Sequence, residues 1–239
     1  MKNFKGYFIE LKSKESVIAI SSLIFMTLYV YHGMPNFFYT YLAPVFGELV
    51  IDPFTDFISR IYQCMFVFIF FFIIPALIVK FKYKENLIDF GFQKGDSYFG
   101  VRFLLIAVPV VLPFIYISSF QQDFQQEYPL PLLARENMKY LLIWECFYFF
   151  YYIGWEFLFR GYLLFGMEKK IGAYWAILFQ TLPSTIIHIG KPEGETFSAI
   201  IAGIVFGAVA LRTRSIIYPL MLHYIVGISM DVFSVVNSR

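Results

Sequence analysis

The chain has 239 residues, is 59% hydrophobic and 22% aromatic, and only 15% of it is charged, with a formal net charge of +2. A soluble domain of this length cannot bury that much apolar surface, so composition excludes an ordinary soluble protein and points to the lipid bilayer as partner. No basic tract or acidic tail suggests nucleic acid as a partner.

The N-terminal stretch "MKNFKGYFIELKSKE" holds four lysines ahead of the first apolar run, with no small-residue cleavage site after that run. A basic arm on the cytoplasmic side is expected rather than a cleaved signal peptide. Runs of bilayer-spanning length, roughly 17–25 residues, then follow in order. They cover about 16–31, 60–79, 98–118, 138–167, 173–189, 197–211 and 216–236. The segment 34–59 contains Pro35, Pro44 and Pro53 and reads as interfacial or re-entrant, with an eighth span as the alternative. The expected fold is an all-α polytopic bundle of seven to eight helices, with residues 1–239 forming one integral membrane domain. Basic clusters ("KFKYK", "MEKK", "LRTR") fall on the same side as the N-terminus if spans alternate, whereas "QQDFQQEYPLPLLAREN" and "KPEGE" fall on the other. That asymmetry places the N-terminus inside, in the cell membrane. Cys64 and Cys146 sit in apolar runs without spacing partners and read as buried structural thiols. Gly203 and Gly207, at small-xxx-small spacing, read as a close helix contact.

Ionisable groups inside apolar spans mark function or a wet cavity. The fourth span carries Glu145, Glu156 and Arg160. At 100° per residue the two glutamates lie within about 20° of one another, with Tyr152 between them on the same face. Arg160 is one turn beyond Glu156, where its cation can hold that carboxylate. A structural ion pair between helices is the alternative reading, and Glu145 could instead lie shallow enough to reach water. His188 and His223 lie in the fifth and seventh spans. A carboxylate can act as general base on a water, and an imidazole can share that proton or polarise a carbonyl. Two histidines and a carboxylate also form a common zinc set, so zinc stays open, although the local HExxH spacing is absent. At about 1.5 Å per residue, Glu156 and His223 sit in the inner half of the bundle while His188 lies near the outer end, a depth mismatch of roughly 15–20 Å.

"EFLFRGYLLFG", "STIIHIGKPEGE" and "AGIVFGAVALRTRSIIYPLMLHYIVG" resemble the CPBP intramembrane proteases, which group CAAX prenyl proteases with bacteriocin-processing and Abi-type enzymes. The resemblance covers roughly 140–235, within a family-like core at 138–236. The family pattern is EExxxR, then FxxxH, then HxxxN. By position, Glu156 and Arg160 match the first motif, His188 the second and His223 the third. Trp155 stands in the place of the first glutamate, Ser184 in that of the phenylalanine and Gly227 in that of the asparagine. The resemblance implies an intramembrane endopeptidase acting on a membrane-associated peptide or protein, prenylated or a peptide leader. Glu156 and His188 would hold the water, His223 would stabilise the oxyanion, and no cofactor is required. Asp231 and Glu195 are candidate supporting groups for the missing carboxylate, with Tyr152 and Glu145 beside them. The alternative is a catalytically inactive binding, immunity or partner protein on the same scaffold.

Overall fold

The computed structural model describes residues 11–46 and 53–238, and these are helical with no strand among them. Seven main helices follow one another: α1 (Lys14–Gly33), α2 (Pro53–Lys82), α3 (Ser97–Ser118), α4 (Met138–Glu156), α5 (Ala173–Ile186), α6 (Glu193–Thr213) and α7 (Ile217–Asn237). Their starts follow local chemistry. Ser13, Asp96 and Asn137 cap α1, α3 and α4 by accepting backbone N–H groups of the first turn. α2 begins on Pro53, at the position where a missing N–H costs nothing. It therefore starts seven residues before the expected span. The expected interfacial segment is a series of short helical turns over Pro35–Phe37, Phe38–Leu42 and Ala43–Phe46, and its continuation at 47–52 lies outside the described residues.

Five helices, α1, α2, α3, α6 and α7, are long and apolar enough to cross a membrane, and the chain is an all-α polytopic membrane protein. The two remaining expected spans differ for separate reasons. α5 has 14 residues, about 21 Å of helix against a hydrocarbon core of about 30 Å. α4 is rich in tyrosine and tryptophan and carries both glutamates, because it is the centre of the bundle rather than a lipid-facing rod. It runs on as a π-helix over Phe157–Phe165 and an α-helical turn over Gly166–Ile171, and every residue from Gly154 to Met167 is buried.

Contacts between loops gather at two opposite ends, as alternating helix directions require. At one end Arg212 pairs with Asp96 at 2.8 Å, Arg214 with Glu168 at 2.7 Å, and Lys14 with Glu85. The Phe99 backbone N–H, and then Arg212, hold the Asp96 carboxyl below the usual carboxylate range. At the other end the Ser234 hydroxyl donates to the Tyr128 carbonyl at 2.6 Å, and Asn237 donates to Ser119 at 2.6 Å.

Small residues set the closest approaches. Gly203 and Gly207 form the α5–α6 seam, where a Cβ would meet Thr181 at 2.6 Å and Gln180 at 3.1 Å, and Gln180 donates to the Gly203 carbonyl at 2.8 Å. Cys64 is buried, but Cys146 is exposed on the outward face of α4, contrary to its expected burial. A Cβ on Gly154 would lie 2.7 Å from the Val67 carbonyl oxygen, a backbone atom that cannot rotate away. Gly154→Ala is expected to force α2 from α4 and lower stability by about 1–3 kcal/mol, read as a lower melting temperature in detergent. An unchanged melting temperature would mean that the helices do not touch there.

Candidate active site

Glu156 ends the regular part of α4 and is completely buried. Its Oε1 accepts from His223 Nδ1 at 2.7 Å and lies 3.3 Å from Arg160 Nη1. The expected one-turn spacing thus brings Arg160 to Glu156, and α7 adds the imidazole. Arg160 is itself buried, its guanidinium carbon 5.4 Å from the centre of the Phe206 ring, and Phe206 also meets His223 edge to face. Glu156 Oε2 has no hydrogen-bond partner among the described residues.

His223 is the member of this trio that meets open space. Its side chain is 20% exposed while that of Glu156 is 0%, and it lines a cavity of about 1140 Å³ between α3, α4, α6 and α7. Trp155, Arg160 and His188 line the same cavity, and Glu156 does not. A carboxylate with a guanidinium beside it accepts, so His223 Nδ1 carries the proton and its Nε2 is left to the cavity.

His188 follows α5 in the loop before α6. Its Nδ1 lies 2.7 Å from the Ser184 carbonyl oxygen, which only accepts, so Nδ1 is the protonated nitrogen and Nε2 keeps its lone pair. Its ring meets Trp155 edge to face at 5.4 Å. The expected depth mismatch is therefore absent, for two reasons. Glu156 precedes Gly172 by sixteen residues and His188 follows it by sixteen, so the α4–α5 hairpin sets them level. Gly172 makes that reversal at φ +82°, a region that favours glycine. The π-helix after Glu156 also rises less per residue than an α-helix, which keeps Glu156 near the level of His223.

Tyr152 packs on His223 with ring centroids 4.6 Å apart and lines the cavity. A Cβ on Gly227, one turn after His223, would lie 2.2 Å from the Tyr152 hydroxyl oxygen. Trp155, in the place of the carboxylate, gives the cavity an aromatic wall and no acceptor. Its Nε1–H is buried without a hydrogen-bond partner among the described residues.

The remaining candidates make no hydrogen bond to either histidine among the described residues. Asp231 is buried and its Oδ2 accepts from Trp144 Nε1 at 2.7 Å, with Glu145 beside it. Glu195 accepts from Lys191 at 2.9 Å and from the Tyr128 hydroxyl at 2.5 Å, closing the α6 end of the cavity. Burial alone would depress the Lys191 ammonium, but Glu195 outweighs it and raises the group above the usual lysine range. Trp144, Tyr128 and Lys191 were not singled out in the sequence. Only the four-residue step from Lys191 to Glu195 signalled a partnership.

Residues 137–229 match the family model described as type II CAAX prenyl endopeptidase Rce1-like. This stretch of the chain is similar to that family. It runs from the cap of α4 into α7, so the Rce1-like stretch contains Glu156, Arg160, His188 and His223, while Asp231 falls two residues beyond it. The family is one of proteases. No curated protein and no solved structure matches the chain.

Removing Arg160 would take the cation from a fully buried carboxylate and leave it to His223 alone among the described residues. Arg160→Ala is expected to cost about 3–5 kcal/mol, seen as loss of the monodisperse folded fraction after extraction. Full retention of folded protein would show that Glu156 does not depend on that cation.

Proposed function

We propose that this chain is an intramembrane endopeptidase that hydrolyses a peptide bond of a membrane-associated peptide, prenylated or a leader, with its N-terminus cytoplasmic. The observation that carries the reading is the 2.7 Å contact between His223 Nδ1 and the buried Glu156, on a ring whose other face lines the cavity. Support for the substrate class comes from the Rce1-like match and from the apolar cavity walls. Support for the orientation comes from the lysines and arginines gathered at one end of the bundle.

In this reading His223 is the base and Glu156 the group that positions it. Nε2 of His223 takes a proton from a water in the cavity, and Glu156 holds the tautomer and stabilises the imidazolium that forms. Arg160 fixes Glu156 from the far side. The Nε2 lone pair of His188 accepts the water's other hydrogen and aims its oxygen at the carbonyl carbon. Glu156 thereby moves from the water-holding role that the motif suggested to one behind the imidazole, because its carboxylate does not reach the cavity. Glu195 is a clasp on the loop carrying His188, and Asp231 with Glu145 forms a separate buried acidic pair. The proposal needs no metal ion. Among the described residues no three His, Cys, Asp or Glu side chains form a metal-holding group.

A second reading is an inactive binding protein on this scaffold, favoured by the acceptor-free Trp155. The two readings separate on one substitution. Glu156→Gln keeps the shape but presents the wrong tautomer to His223, so a peptidase should lose about 10³–10⁴ in kcat while still accumulating in the membrane. The measurement is cleavage of a quenched fluorescent farnesylated peptide by protein in lipid vesicles, with His223→Ala as the companion. If the native chain cleaves and both variants cleave equally well, the histidine mechanism is wrong. If the native chain binds such peptides without cutting them, and Glu156→Gln binds alike, the binding reading takes its place.

A further inference from the structure

We propose that the Tyr152 hydroxyl is the oxyanion donor of this site, taking the place that a side chain at position 227 would otherwise fill. The inference rests on the peptidase reading above and adds to it a residue that touches the reacting carbonyl.

Three observations converge. The Tyr152 oxygen occupies the volume next to Gly227, so close that even a methyl group there would collide with it. Its ring lies 4.6 Å from that of His223, which puts the hydroxyl one helical turn along α7 from the proposed base. Tyr152 also lines the cavity, so the hydroxyl has access to a bound carbonyl. On its other side the Tyr148 ring packs against it, tilted, with centroids 4.6 Å apart. Of the other donors beside the site, the Trp155 N–H is buried and Arg160 is held by Glu156.

The step balances as follows. The water oxygen bonds to the carbonyl carbon as one water proton passes to His223 Nε2. The carbonyl π pair moves onto oxygen, and that oxyanion accepts from Tyr152 Oη–H without taking the proton. The pair then returns to re-form C=O, the C–N bond breaks, and His223 gives its proton to the leaving nitrogen. The products are a carboxylic acid and an amine, and no redox partner is needed. A fixed donor at the oxyanion is worth about 10²–10³ in kcat, and it acts in the transition state rather than on substrate binding.

The test uses the full-length chain in lipid vesicles and Tyr152→Phe, which keeps the ring and removes the donor. Cleavage of the farnesylated peptide is followed for kcat and KM, together with binding of a farnesylated peptide aldehyde, whose hydrate resembles the tetrahedral intermediate, against the matching alcohol. The expected result is a fall in kcat of about 10²–10³, KM within about twofold, and loss of most of the aldehyde's advantage over the alcohol. A merely structural tyrosine would move KM or the melting temperature and leave the aldehyde preference intact, and that result overturns the proposal. Gly227→Ala, which displaces the hydroxyl, is expected to mimic Tyr152→Phe, and the double variant to be no worse than either. Should Gly227→Ala fail to fold, Tyr152→Phe alone decides. If the native chain cleaves and depends on His223 while Tyr152→Phe is unaffected, only this proposal fails. If the native chain neither cleaves nor prefers the aldehyde, the peptidase reading fails and takes this one with it.

Discussion

The burial of the Glu156 carboxylate at the centre of an apolar bundle is the constraint on which the remaining structure turns. A lone charge there would cost several kcal/mol, so the fold has to bring it partners. Arg160 comes from the same helix one turn on, and His223 from α7. This demand explains why α4 is central and not peripheral. The part of the helix carrying a buried ion pair cannot face lipid, and the buried apolar residues over Phe157–Phe165 pack around the pair. α5 is short for a related reason. Ending at Ile186 lets the chain turn inside the bundle's height and deliver His188 against Trp155.

Polarity is arranged in depth as well. The ion pairs at the basic end, Arg212 with Asp96 and Arg214 with Glu168, tie α6 to the start of α3 and to the end of α4. The opposite end is held by Tyr128, Lys191 and Glu195, with the Lys191 ammonium bonded to both partners at 2.9 Å. Exposed pairs contribute little on their own. Their value here is geometric, since each fixes a loop whose neighbouring helix carries a cavity residue. Between the two ends the cavity runs along α3, the helix with the least buried surface, which is held mainly by α7 and notched at Gly100 for the Tyr218 ring. The wall nearest lipid is therefore the one least committed to the core.

Much of this was legible in the residues. Apolar runs and basic clusters gave the helical membrane class, and the Glu156–Arg160 spacing gave a true contact, because residues four apart stay on one face even in the π-helix that follows Glu156. The π-helix that follows carries no composition signal, so ideal rise overstates the depth difference between His188 and the Glu156–His223 pair. The separation of Glu156 from the cavity was equally invisible. Spacing says which face of a helix a side chain takes, and not which of two partners stands between it and the open volume. Asp231 and Glu195 looked interchangeable as spare carboxylates. Their fates were decided by Trp144 and by Tyr128 with Lys191, residues 87 and 67 positions away for the aromatic partners. Contacts at such separation leave no trace in local pattern.

The departures at 155 and 227 are best understood together. Tryptophan at 155 removes an acceptor from the cavity wall, and with it the simplest way for a carboxylate to hold water. Glycine at 227 removes a side chain and opens room that the Tyr152 hydroxyl fills. Each change alone would impoverish a hydrolytic site. In the proposed mechanism the combination leaves two imidazole Nε2 atoms as the water's acceptors and a phenol as the donor for the carbonyl, with the Glu156 carboxylate behind one of those rings. At Gly227 the room is not a void, since a polar group is seated in it. The fit of Tyr152 against Gly227 and His223 is thus the feature that favours a rebuilt site over an abandoned one.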